Sequence, residues 1–380
     1  MDFLKYILTI TFSFCLVSYA VESNNFNLNK IQYVCPPCPH VSDILTTKRY
    51  EHDGQCLVCG MNLIELNDQS MVSNAKGEDI SLAAINLHVG SGNFNFITTK
   101  GINIAIFYYK PKAFGPGSKI LLVIPGAGRG AWEYRDYWRE NAEKYNVLIL
   151  SPSYSEKDYD YAAYHLGGIL SGLTFTNFTT KTHQGRVNKY FIDDDDLLKG
   201  EAVKAAGWLF NDFDRIFDLA VKATHSNMKT YDLFGHSAGG QIISRMAIFK
   251  PASKAHRMIA ANAGSYTLPI TDVNFPLGLK NTEFSENAFK QVYSTKLTIL
   301  VGELDNDQET KGTLLHTPQL DKQGLGRLSR AKTFFSVAKK EAQLLNVKFN
   351  WQVNIAKDIG HEAKAMSDVA AKLLYDDTEI

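Results

Sequence analysis

The chain has 380 residues, forty of them basic and forty acidic, and 45% of it is hydrophobic. That length allows one large domain with an appendage, and the apolar share is enough for a substantial core. The zero formal charge offers no cationic footprint for nucleic acid or for an anionic membrane surface.

The first twenty residues have the pattern of a cleaved export signal. Lys5 supplies the charge, Ile7 to Ser18 is an almost unbroken apolar run, and Ser18-Tyr19-Ala20 puts small residues at the cleavage spacing. A membrane anchor needs about 20 apolar residues, and this run is shorter. Cys15 lacks the small residues before it that a lipid anchor would want. The expectation is an exported protein, periplasmic or secreted, with no membrane span once the signal is removed. The oligomeric state is left open by the sequence.

A polar, Asn-rich stretch over 21–32 precedes a compact cysteine segment over 33–66, and a second polar linker closes at Glu78. From residue 79 to 380, strand and helix patterns alternate, which predicts a mostly parallel central sheet with helices on both faces. Ile80 to His88 and Phe94 to Tyr109 read as opening antiparallel strands turned at Gly90-Ser91-Gly92. Ile120 to Ile124 and Val147 to Leu150 are continuous apolar runs, as strands buried on both faces require. The acidic run Asp193 to Asp196 reads as a solvated loop or a helix start. Phe213, Ile216, Phe217 and Ala220 form one helical stripe with Asn211 as a candidate cap. Further strands are expected at Tyr231 to Phe234, Met258 to Ala261, Leu297 to Val301 and Trp351 to Ile355, with a helix over Leu328 to Leu345.

The sharpest motif is Gly235-His236-Ser237-Ala238-Gly239, between the strand ending at Phe234 and a helical stripe (Ile242, Met246, Phe249) stopped at Pro251. A serine on a tight strand-to-helix turn stands in strained backbone geometry above the sheet, so its neighbours must be small. The helix N-terminus beside it stabilises developing negative charge. A hydroxyl attacks a carbonyl only with a base at hand. Of ten histidines, His361 follows the last strand in Asp358-Ile359-Gly360-His361-Glu362, on a loop able to reach Ser237. His236 is expected to pack beneath the turn. The acid that orients the imidazole should follow Leu297 to Val301, where Asp305 is the first choice and Asp307 and Glu303 compete. Two backbone donors for an oxyanion are expected, one at Ala238 and one at Ala127 in Pro125-Gly126-Ala127-Gly128-Arg129-Gly130. That loop lacks the Lys and Ser/Thr of a phosphate cradle. The order Ser, Asp, His is that of the α/β hydrolases.

With these residues in place, the chain from about 80 to 380 resembles the polyhydroxybutyrate-depolymerase-like esterases. The resemblance rests on Pro125 to Arg129, Gly235 to Gln241, Ala261-Asn262-Ala263-Gly264-Ser265-Tyr266, Gly302-Glu303-Leu304-Asp305 and Gly360-His361. It implies an α/β-hydrolase fold and ester hydrolysis through an acyl-enzyme, on a small-molecule or polymeric ester and without a catalytic cofactor. One departure is Pro125, where such enzymes usually carry a histidine before the glycine.

Cys35, Cys38, Cys56 and Cys59 form two C-x-x-C pairs seventeen residues apart, a spacing that suits a tetrahedral zinc site. Two disulfides are the competing reading in an oxidising compartment, and a redox-active pair is a weaker one. The segment resembles the small heavy-metal-binding domain of copper-efflux adaptors and metal-transporting ATPases, through Tyr33 to Pro39 and Cys56 to Leu63. Pro37-Cys38 stands where that family usually has Met-His, which favours zinc or another soft ion.

The reading is therefore an exported serine hydrolase acting on carboxylic esters, with a structural metal module at its N-terminus. A serine peptidase of the same fold, and a non-catalytic metal-handling or adhesion protein on that scaffold, are the alternatives. The aromatic-rich stretch from Tyr154 to Phe191 interrupts the strand–helix alternation and is expected to cover the mouth of the site.

Overall fold

The computed structural model describes residues 85, 87–175 and 177–376, together with three short strands nearer the N-terminus. Those strands are β1 (Gln32–Val34), β2 (Arg49–Tyr50) and β3 (Ile64–Leu66), paired antiparallel in the order β2-β1-β3. Cys35, Cys38, Cys56 and Cys59 lie outside the described residues, as does the export signal expected over 1–20.

The main sheet opens with a hairpin, β4 (Gly90–Ile97) against β5 (Asn103–Lys110), and continues in β6 (Lys119–Ile124) and β7 (Val147–Pro152). Helices α1 (Ala131–Tyr137) and α2 (Arg139–Tyr145) connect the last two. An insertion follows, with α3 (Tyr161–His165), β8 (Leu170–Ser171), β9 (Phe178–His183), β10 (Arg186–Ile192), α4 (Asp194–Leu198) and β11 (Glu201–Ala202). Regular alternation resumes with α5 (Phe210–Thr224), β12 (Tyr231–His236), α6 (Ala238–Phe249), β13 (Ala255–Ala261), α7 (Phe289–Ser294) and β14 (Lys296–Gly302). The chain closes through β15 (Leu314–His316), α8 (Pro318–Asp321), α9 (Arg327–Leu344), β16 (Gln352–Ala356) and α10 (Ala363–Tyr375).

Eight strands form the central sheet in the order β16-β14-β13-β12-β6-β7-β5-β4, parallel from β16 to β7 and antiparallel at the β5–β4 edge. Residues 120–124 have no exposed surface, because the strand alternates between two cores. Ile120, Leu122 and Ile124 pack with α5, α6 and α9, whereas Leu121 and Val123 pack with α1 and α10. Covering both faces of a parallel sheet is what produces an unbroken apolar strand.

Two local expectations are corrected. The hairpin turns at Thr98–Ile102, with Gly101 at φ +74°, while Gly90-Ser91-Gly92 belongs to β4 itself. The alternation Phe94, Phe96 sets that register, burying both rings, and Gly92 is required because Tyr108 lies where a Cβ would project. Asn211 is not a cap but lies inside α5, where its side chain bridges Ala205 O and Lys250 Nζ. The acidic run begins α4, with Asp194 accepting from the Gln319 N–H and Asp196 paired to Lys199.

Candidate active site

Ser237 follows the last residue of β12 and precedes α6, at φ 59° and ψ −115°. A non-glycine residue in this region costs on the order of 1–3 kcal/mol and persists only where the surroundings enforce it. Here the enforcement is contact: a Cβ on Gly239 would fall 2.1 Å from Ile124 O, and one on Gly235 would fall 2.5 Å from the Gly239 carbonyl. The turn fits only because both residues lack side chains. The Ser237 N–H donates to Ala261 O at 2.9 Å, tying the elbow to β13. The Ser237 hydroxyl has no hydrogen-bond partner among the described residues.

His361 follows the edge strand β16, and Asp305 follows its neighbour β14. His361 Nδ1 lies 2.8 Å from Asp305 Oδ2, and the Asp305 side chain is fully buried. The second oxygen, Oδ1, accepts from Arg327 Nη1 at 3.1 Å, and Arg327 is itself 2% exposed. Burial pushes the Asp305 carboxyl above its ordinary range, with Arg327 and then His236 opposing it. Burial, then Arg327, holds His361 well below the usual imidazole range, so the resting ring is neutral. The competitors are elsewhere: Asp307 is exposed, with its carbonyl accepting from Lys189, and Glu303 is exposed and caps the Asp358 N–H.

Three supports were given no role by the sequence pattern, although Asn262 lies in a stretch that carries the family resemblance. Glu309 Oε2 accepts from the His361 N–H at 2.8 Å, and Oε1 takes the Thr310 and Lys311 N–H groups. Burial pushes the Glu309 carboxyl up, but those three donors together bring it below the ordinary range. Asn262, fully buried at φ 47°, accepts from the Gly302 N–H and donates to Gly360 O, joining the strand that leads to Asp305 with the turn that carries His361. Arg327 is the third. Its contact reaches back 22 residues from the first turn of α9, a spacing with no periodicity to detect.

His236 lies beneath the elbow, 3% exposed, with Nδ1 at 3.0 Å from the Tyr134 hydroxyl and its ring 4.5 Å from that of His361. Burial, then the neighbouring His361 and Arg327, holds it well below the usual imidazole range. Ala238 is the first residue of α6, and Ala127 sits in the loop after β6. Arg129 holds that loop by folding back: its Nε donates to Ala127 O at 3.2 Å, and its guanidinium stacks 3.6 Å from the Tyr164 ring. Pro125 contributes its carbonyl, which accepts from the Tyr164 hydroxyl at 2.8 Å. The loop is thereby fixed from the insertion side without the histidine that the resemblance would lead one to expect.

Above these residues, β9, β10 and β15 form a small sheet. With α3 and the loop that carries Ala127 it encloses a pocket of about 460 Å³, lined by Tyr161, Phe175, Phe178 and Tyr190 among others. The aromatic insertion thus covers one side of the site.

No family model and no curated protein matches the sequence. Solved structures do. Poly(aspartic acid) hydrolase-1 from Sphingomonas sp. KT-1 is 33% identical over 76% of this chain and 100% of its own, with a TM-score of 0.65. LpqC, a poly(3-hydroxybutyrate) depolymerase from Bordetella parapertussis, is 26% identical over 76% of this chain and 91% of its own, with a TM-score of 0.64. Fold and likeness together define a serine ester hydrolase of the α/β class. The chain belongs to the polyhydroxybutyrate-depolymerase-like family of α/β hydrolases. A non-catalytic scaffold, one of the alternatives left by the sequence, does not fit that membership. Among the described residues no helix is long and apolar enough to cross a membrane.

Proposed function

We propose that the chain cleaves carboxylic esters through an acyl-enzyme on Ser237, with His361 as general base and Asp305 as its orienting acid. The observation that carries this reading is the Asp305–His361 pair, at 2.8 Å with the carboxylate fully buried, after two strands on one side of the strand that ends in a strained serine. Neutral His361 takes the Ser237 proton on Nε2 as Oγ attacks the ester carbonyl. Asp305 fixes the Nδ1–H tautomer and stabilises the imidazolium that forms. The Ala238 and Ala127 N–H groups receive the oxyanion. The imidazolium then gives its proton to the departing alcohol, and water enters by the same steps in reverse. Hydrogen bonds of this kind are often open in a resting site and close on substrate, which accommodates the unpartnered Ser237 hydroxyl.

A fluorophosphonate should label the protein once per chain, and Ser237→Ala should abolish the label. Persistent labelling in that variant would remove the reading. Amide hydrolysis is the second reading, favoured by the likeness to a poly(aspartic acid) hydrolase. Esters of graded chain length assayed beside aminoacyl amides separate the two.

We further propose that residues 1–20 direct export to the periplasm or beyond, and that Cys35, Cys38, Cys56 and Cys59 hold one structural zinc. Four thiolates in two close pairs form a donor set suited to that ion. No catalytic step runs through it.

A further inference from the structure

The pocket beside the elbow is largely apolar, with the Tyr161, Tyr190 and Thr313 hydroxyls and the His165 ring as its polar groups away from one wall. Among its lining residues none is Asp, Glu, Lys or Arg, and burial drives the pKa of its histidine, His165, down to about 3, so that ring is neutral. The polar wall is Gln241, one turn into α6 beyond the nucleophile, with Ser265 and Gly264 beside it.

Behind the wall runs a hydrogen-bonded relay whose direction follows from the donors and acceptors within reach. Arg245, fully buried, donates from Nη2 to Ser265 Oγ at 3.2 Å, and Ser265 Oγ lies 2.8 Å from Gln241 Oε1. A guanidinium can only donate, so Ser265 accepts there, and among the described residues Gln241 Oε1 is the one acceptor within reach of its single hydrogen. Gln241 must receive that hydrogen with its carbonyl oxygen. The amide orientation is therefore fixed, and Nε2 is the atom left over, with no partner among the described residues. Gly264 keeps it uncovered, since a Cβ there would stand 3.1 Å from Nε2. Gln241 is 7% exposed, so this is a nearly buried donor waiting in an apolar pocket. Leaving such a donor unsatisfied once ligand excludes water is costly.

We propose that Gln241 Nε2 donates a hydrogen bond to an uncharged acceptor oxygen on the acyl chain of the substrate. The enzyme then selects acyl groups bearing an oxo or hydroxyl oxygen over plain alkyl chains of the same length. An anionic acyl chain is disfavoured, because no lining side chain is a cation and the Arg245 guanidinium behind the wall is taken up by Ser265 Oγ and the His165 and Gln241 carbonyls. This rests on Ser237 being the nucleophile, and Gln241 acts as a specificity residue, not a catalytic one.

The test compares kcat/KM for p-nitrophenyl valerate, 3-hydroxyvalerate, levulinate and hemisuccinate. The native enzyme should prefer one or both of the oxygenated neutral esters over valerate by about tenfold, the scale of one well-placed hydrogen bond. Hemisuccinate should fall below them. Gln241→Leu should bring that ratio toward one. Ser265→Ala, which releases the amide to turn over, should lower it part of the way. Fluorophosphonate labelling of each variant reports on fold and nucleophile separately. A native ratio near one, a ratio unchanged in Gln241→Leu with labelling intact, or a preference for hemisuccinate overturns the proposal. Loss of labelling at Ser237 in the native protein overturns the underlying reading instead.

Discussion

Arg327 and His361 meet the same carboxylate from opposite sides, one on each oxygen of Asp305. A buried carboxylate facing only an imidazole would take up a proton readily, because burial disfavours its charged form. The guanidinium keeps it ionised. It also disfavours the imidazolium at His361, so one residue biases both members of the pair toward the state a general base needs.

Arg327→Met should therefore move the acid limb of the kcat/KM profile. The sign follows from both groups: without the cation Asp305 binds its proton more tightly, and so does His361. His361 must be unprotonated to act, so activity should be lost at higher pH than in the native enzyme, by about one pH unit. Arg327→Lys should restore part of the shift. A limb that stays in place would show that Arg327 only supports the fold.

Substituting the two aspartates should separate their roles. Asp305→Asn should lower kcat by roughly 10³- to 10⁴-fold, because the tautomer is no longer fixed. Asp307→Asn should have a slight effect, as its side chain is exposed and lies outside the pair. Steady-state rates with one activated ester suffice, and the reverse ranking would reassign the acid.

Gly312 should not tolerate alanine. It stands at φ +67°, and a Cβ there would lie 2.3 Å from His361 Cδ2 and 2.6 Å from Nε2. The ring would have to move, and a displacement of about 1 Å in a catalytic group can cost on the order of 10²-fold. Gly312→Ala should lower kcat on that scale with little change in KM, while the circular dichroism spectrum stays native. An unchanged kcat would mean that the loop yields and the imidazole does not.

For the cysteine segment, metal analysis of the full chain should find about one zinc, bound by Cys35, Cys38, Cys56 and Cys59. Chelation should release it and leave ester hydrolysis intact, since the metal's binding energy belongs to its own module. Two disulfides in the mass of the metal-free chain would exclude the zinc.

The elbow at Ser237 and the strand end that carries Asp305 were legible because each follows an apolar run dense enough to be a buried strand, whereas His361 follows the half-exposed β16 and was legible from its place after the last strand. Choosing among Glu303, Asp305 and Asp307 was harder, since the turn after β14, not the strand, decides which carboxylate faces inward. The opening hairpin was misplaced because Gly90-Ser91-Gly92 resembles a turn, whereas Gly92 makes room for Tyr108 on the paired strand. Arg327 and Glu309 were invisible for a different reason. Their contacts span long separations, and an arginine or glutamate on a surface pattern carries no mark of the partner it will meet. The small sheet over the pocket was hidden as well, because β9 is exposed along its whole length and shows no apolar alternation.

That small sheet has a consequence for redesign. Its strand β15 continues directly from the stretch that runs from Asp305 past Gly312, and Arg327 Nη2 grips the Thr313 carbonyl at 2.8 Å. The wall of the pocket on this side is the same piece of chain that holds Arg327 against the Asp305–His361 pair. β9 and β10 come from a separate insertion, and β10 joins this wall by pairing with β15. Libraries that aim to change what the enzyme accepts should therefore vary Phe178, Tyr190 and Ile192 and leave Thr313 and Leu315 alone. The pocket has one modular wall and one that cannot be exchanged without retuning the chemistry.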